Sequence, residues 1–142
     1  MKIQLVAIVI CSFCGLSLTK AQTLTDLSKT KNWKLYKIQD NMAFNYSPDT
    51  LQHFSQVTLA MDLLTPMLQQ VTPLKSQEAP LWMGFYVVSF EDENGQTRKA
   101  EVSMYGGFFY EDASKKYFVV PEAIRRTWLD FMNHSANRLF DQ

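Results

Sequence analysis

The sequence predicts an α+β fold: a four-strand antiparallel meander packed by a long kinked helix and a C-terminal helix. Three observations carry this. Phe54, Val57, Met61, Leu64, Leu68 and Val71 recur at alternating spacings of 3 and 4, the period of an amphipathic helix. Asn94-Gly95 lies between two apolar-alternating segments, the strongest short hairpin signal because both residues tolerate positive φ. Pro121-Glu122 precedes a second helical stripe of Ile124, Trp128, Phe131, Met132 and Leu139, a proline-first, acid-early helix start.

Residues 1–21 read as a secretory signal rather than as part of the fold. Lys2 supplies the positive start, and Leu5 to Leu18 carries no charge. That run is shorter than the ~20 residues needed to cross a bilayer. Thr19 and Ala21 are small residues at −3 and −1 before Gln22, the pattern that signal peptidase reads. An uncleaved anchor is the rival reading. A lipidated cysteine does not fit, since Cys11 follows Ile10 and Cys14 follows Phe13. The expectation is export to a periplasm or the outside, as a single domain of residues 22–142 without a membrane segment after cleavage.

Composition narrows the function classes. The 142 residues hold 14 basic and 14 acidic side chains, and 13% are aromatic. A balanced charge argues against nucleic-acid binding, which needs a basic excess against phosphates. The aromatic share argues against a disordered chain. Cleavage at Gln22 discards both cysteines, together with Lys2 and Lys20. The mature domain is then mildly acidic, with no disulfide and no thiolate nucleophile or ligand.

The mature chain opens with a polar lead-in, 22–32, loose or at most a helical turn. Trp33 to Ile38 and Met42 to Tyr46 have strand character around Gln39-Asp40-Asn41. Ser47-Pro48-Asp49 starts the long helix with a hydroxyl cap, proline at the first position and an early acid. Pro66 should kink it, and Thr72-Pro73 should end it. After a proline-bounded loop, Leu81 to Phe90 pairs across the Asn-Gly turn. A two-residue turn sets Glu91 against Arg98, Ser89 against Ala100, Val87 against Val102 and Phe85 against Met104. The other face then sets Phe90 against Lys99, Val88 against Glu101 and Tyr86 against Ser103. Gly106-Gly107 breaks the second strand. Phe108 to Glu111 and Lys116 to Val120 form a further hairpin before the last helix, where Glu122 stands four residues ahead of Arg126.

Few catalytic patterns are present. His53 and His134 stand alone on their helices, outside any His-Glu-x-x-His ligand pair, and read as surface imidazoles. No Gly-x-Ser-x-Gly elbow occurs. Ser28 and Lys31 have Ser-x-x-Lys spacing but fall in the polar lead-in, where nothing would lower the lysine's pKa. Gly106-Gly107 joins two strands, so it is not a phosphate-binding loop. Glu101 is the carboxylate of most interest. It projects from mid-strand, where burial would suit it to general-base work and a lysine neighbour would make it an ordinary pair.

Aromatic density is the remaining signal. Tyr86, Tyr105 and Tyr110 line a sheet face that either packs internally or receives a partner. The order of elements is similar to cystatin-like folds and to nuclear-transport-factor-like folds. This resemblance is architectural, and the Gln-x-Val-x-Gly loop of inhibitory cystatins is absent, so protease inhibition is not implied. The functional expectation is a non-catalytic domain that binds another exported or envelope protein through an aromatic face or a strand edge. The candidate face is Trp82, Tyr86, Glu101, Ser103, Tyr105 and Tyr110, with no metal and no cofactor. Two alternatives stand beside it. One is a small-ligand carrier or enzyme with a pocket between sheet and helices, centred on Tyr86, Glu101, Ser103 and Tyr105. The other is a structural component of an envelope assembly.

Overall fold

The computed structural model describes residues 25–38, 46–75 and 84–141. The signal segment 1–21, most of the expected strand 42–46, the start of the strand at Leu81, and Trp82 lie outside the described residues. A 3-10 turn (Leu27–Lys29) leads into β1 (Lys31–Tyr36), α1 (Pro48–Leu51), β2 (Gln56–Thr58), α2 (Met61–Leu68) and β3 (Thr72–Pro73). Then follow β4 (Phe85–Glu91), β5 (Thr97–Ser103), β6 (Phe108–Glu111), β7 (Lys116–Val119) and α3 (Glu122–Phe140).

Among the described residues the sheet has seven strands, not four, in the order β2-β1-β4-β5-β6-β7-β3. The expected meander is its centre, β4 to β7, antiparallel throughout. Three strands extend it: β1 pairs with β4 and β2, and β3 pairs with β7. The described part of the lead-in, from residue 25, is structured rather than loose. The Asp26 carboxylate accepts from Ser28 N at 3.1 Å, Leu27 is 4% exposed, and β1 begins at Lys31. Asn32 adopts φ 55° where the β1–β4 register shifts, a conformation asparagine tolerates better than most residues.

The long helix is also corrected. Its start is as expected, with Ser47 Oγ accepting from Thr50 N and Pro48 in the first turn. The helix ends at Leu51, however, and Gln56–Thr58 pair with β1 before α2 begins. Val57 and Thr58 are β-branched, which suits an extended edge strand. The 3-4 spacing is thus satisfied by two short helices and a strand between them. Each helix buries its own apolar residues: Leu51 from α1, and Leu64, Met67 and Leu68 from α2.

The β4–β5 register is displaced by one residue from the expected one. Glu91 faces Thr97, Ser89 faces Lys99, Val87 faces Glu101 and Phe85 faces Ser103. The cause is Asp92. Its Oδ1 accepts from Asn94 N and Gln96 N, each at 2.9 Å, and its Oδ2 meets Arg98 Nε at 2.9 Å. Asp92 N also donates to Gln96 O, so the turn is wider than a two-residue Asn-Gly loop. A slip of one residue exchanges the faces of a strand, and β4 therefore presents Tyr86, Val88 and Phe90 to the opposite side from that expected.

Those residues join the main core. Trp33 stacks on Phe90 at 4.5 Å, and Phe109 lies between Phe118 at 4.9 Å and Trp128 at 5.9 Å. From α3, Trp128, Met132, Ala136 and Leu139 are buried in the same cluster as Val88, Ala100 and Val102. The Trp33 indole donates to Thr30 Oγ1 at 2.8 Å, so this buried ring keeps its polar bond. Glu122 pairs with Arg125 at 2.7 Å rather than with Arg126, which lies 3.9 Å from Asp130. A smaller cluster covers the second face: Tyr36, Ile38, Leu51 and Val87, with Tyr46, Phe54 and Phe85 packed against it. Among the described residues no helix is long and apolar enough to cross a membrane.

Candidate functional site

Strand alternation puts Lys99, Glu101 and Ser103 on one face of β5. Cross-strand pairing places Ser89 and Val87 beside them on one side and Tyr110 on the other. The result is a buried polar seam on the second face. Glu101 is 0% exposed, Ser103 1% and Lys99 3%. Tyr36 and Ser89 extend the seam toward β1, sharing a hydrogen bond of 2.8 Å.

Lys99 is the hub of this seam. Its Nζ donates to the Tyr46 carbonyl at 3.2 Å, and lies 3.6 Å from Glu101 Oε1 and 3.5 Å from Asp112 Oδ2. Asp112 is also bonded by Lys115 Nζ at 3.1 Å. Neither Glu101 oxygen accepts a hydrogen bond among the described residues. Burial pushes the Glu101 carboxyl above the usual range. The nearby Lys99 charge opposes that rise, while Asp112 adds to it. Burial also raises the Tyr110 phenol. For Asp112, burial acts upward but the Lys115 bond and the Lys99 charge outweigh it, leaving the carboxyl low.

The predicted face is therefore divided. Glu101, Ser103 and Tyr110 belong to the seam. Ser103 is engaged in loop closure, its Oγ accepting from Gly106 N at 2.9 Å and from Tyr105 N at 3.4 Å. Tyr86 points to the α3 side, where its hydroxyl donates to Asn133 Oδ1 at 2.8 Å. Tyr105 sits on the loop between β5 and β6 and is 74% exposed. Trp82 is outside the described residues.

Tyr105 marks a second feature, an open cleft of about 400 Å³ between that loop and α3. Its walls include Met104, Tyr105, Leu129 and Asn133, with the pairs Glu122–Arg125 and Arg126–Asp130. Gly107 shapes the junction: a Cβ there would lie 2.7 Å from Arg125 Nε. Sequence reasoning missed Lys99, Asp112, Arg125 and Asn133. The usable signal for Lys99 is its spacing of two from Glu101 on one strand. For Arg125 and Asn133 it is a helical face set off the apolar stripe.

His53 and His134 are both exposed. Among the described residues no group of three His, Cys, Asp or Glu side chains is placed to hold a metal ion. No protein-family model, curated protein or solved structure matches the chain.

Proposed function

We propose that the chain is an exported, non-catalytic domain that binds another exported or envelope protein at the Tyr105 cleft. The observation that carries this reading is a tyrosine left 74% exposed at the mouth of a cleft walled by Met104, Arg125 and Arg126. Tyrosine, methionine and arginine are the residue types enriched where proteins meet, and large anchors beside a pocket dominate binding energy. A helix laid on one face of an antiparallel sheet supports a cystatin-like or nuclear-transport-factor-like arrangement as the finer description of the fold.

A photo-crosslinking amino acid at position 105 of the full chain, expressed in its own cells, tests the proposal. The expected result is a discrete protein adduct in the envelope or secreted fraction, absent when the probe replaces the exposed Gln70. The mature product should begin at Gln22 on N-terminal sequencing. A purified monomer that yields no adduct at 105 would sink the binding reading. A product that retains its first residues would sink the cleavage reading.

A second reading, a small-ligand carrier or enzyme, is favoured by one observation: Glu101 is fully buried beside Lys99 with both oxygens lacking hydrogen bonds among the described residues. Co-purification of a small molecule lost in Glu101→Gln, with the fold kept, distinguishes it from the first.

A further inference from the structure

The Tyr46–Phe54 segment lies over the polar seam. Leu51 and Phe54 pack with Val87, which stands opposite Glu101. The Tyr46 carbonyl receives the Lys99 ammonium. Within the segment the backbone bonds are local, Thr50 and Leu51 N donating to Ser47 O and Phe54 N to Leu51 O, while the next residue, Ser55, ties its end to the sheet by accepting from Lys37 N at 2.8 Å. A piece with only a four-residue helix, held between its ends by a few apolar side chains and one ammonium contact and tied to the sheet at Ser55, belongs to the low-stability end of a fold.

Charge counting beneath it is uneven. One ammonium, Lys99, stands between two carboxyl groups, Glu101 and Asp112. Asp112 is the better served, since Lys115 reaches it from the solvent side. Glu101 has no such second cation among the described residues, and the nearest donor to its oxygens is Lys99 itself, at 3.6 Å and too long for a hydrogen bond. The other titratable groups on this face are the phenols of Tyr110 from β6, Tyr117 beside it on β7, Tyr36 from β1 and Tyr46 from the covering segment, with Lys34 of β1 and Glu91 of β4 farther along it beside Ser89. Asp49 and His53 of that segment are exposed.

A carboxylate buried without hydrogen bonds is costly, whereas the neutral acid is far less so. Lifting the covering segment lets water reach Glu101 and removes the difference. We propose that the Tyr46–Phe54 segment is a pH-sensitive cover on the second sheet face, closing with uptake of one proton by Glu101 and loosening as the pH rises. The direction follows from linkage. The closed state holds the Glu101 proton more tightly than the open state, so closure is fully favoured at low pH and is lost as pH passes upward through the closed-state titration. The upward displacement of Glu101 by burial is in keeping with this. The Lys99 charge works the other way, but it is divided with Asp112.

Hydrogen exchange of the amides of residues 47–55, corrected for the intrinsic pH dependence of exchange, is the direct test on the full mature chain between about pH 5 and 9. Protection of this segment should fall as the pH rises, by about tenfold for each unit of difference between closed and open titration. Glu101→Gln should make that protection independent of pH. In parallel, 13C-carboxyl NMR of the unsubstituted protein should place Glu101 above the ordinary glutamate range, a measurement that does not depend on a variant folding. Protection that follows pH identically in the wild type and Glu101→Gln overturns the proposal. So does a wild-type segment insensitive to pH, or a Glu101 carboxyl that titrates like a free glutamate.

Discussion

Gly107 and Arg125 are fitted to each other. A methyl group at 107 would meet Arg125 Nε at 2.7 Å and its Cδ and Cγ at 3.1 Å, so the arginine shaft lies directly against the loop backbone. This contact holds the β5–β6 loop to the first turns of α3 and sets one wall of the cleft. Gly107→Ala should therefore push Arg125 aside. Because that side chain is partly exposed and able to move, the loss should be about 1 kcal/mol, measured by urea denaturation. The larger effect should be on shape, read as a change in Arg125 and Tyr105 resonances while those of the Trp33 core stay in place.

Tyr105 is the converse case. It is mostly exposed, so Tyr105→Ala should change stability by less than about 0.5 kcal/mol. If the cleft is a binding surface, the same substitution should weaken partner capture at least tenfold in a quantitative pull-down with the crosslinked protein, once identified. Unchanged capture would remove Tyr105 from the interface.

Asp92 should govern the acid limb of stability. Its side chain is 3% exposed and its partner Arg98 12%. Burial acts to raise its carboxyl, but hydrogen bonds from Gln96, Arg98 and Asn94 outweigh that and hold it low. A carboxyl depressed in the folded state stabilises above its unfolded value, near 4, and that contribution is lost as pH falls through the folded value. Asp92→Asn should remove this loss and cost about 3 kcal/mol at neutral pH, because Arg98 is left without its anion. Denaturation midpoints from pH 2 to 7 for both proteins check the sign and the size.

Phe109 is the best single probe of the main core. It is fully buried and stacked between Phe118 and Trp128, with Trp33 edge-on at 6.3 Å. Phe109→Ala should cost about 4 kcal/mol, whereas Phe109→Leu should cost markedly less. Equal losses would mean that volume matters little at this position.

Local chemistry makes some elements legible from residue types alone. The Ser47 cap, the β6–β7 hairpin, and the last helix with its Pro121 entry and buried Trp128, Met132 and Leu139 stand where those residue types place them. The failures have one physical origin: short patterns admit more than one geometry. Phe54, Val57, Met61 and Leu64 keep helical spacing, yet an edge strand at Gln56–Thr58 interrupts them. Asn94-Gly95 invites a tight turn, but the Asp92 carboxylate captures two backbone amides and widens it. That single slip moves Tyr86 to the other side of the sheet and splits the expected face. Glu101 stands out by its mid-strand position. Its seam does not, because the approach of Asp112 and Tyr46 to Lys99 depends on long-range pairing.

Among the described residues the sheet finishes at one side with the three residues of β2 and at the other with the two of β3. Such stubs give an incoming chain very little backbone to hydrogen-bond. Copies of this protein crowded together should therefore resist growing into a shared ribbon. Whatever docks on it must be chosen by side-chain chemistry, so its specificity should be open to single substitutions in a way that strand addition seldom is.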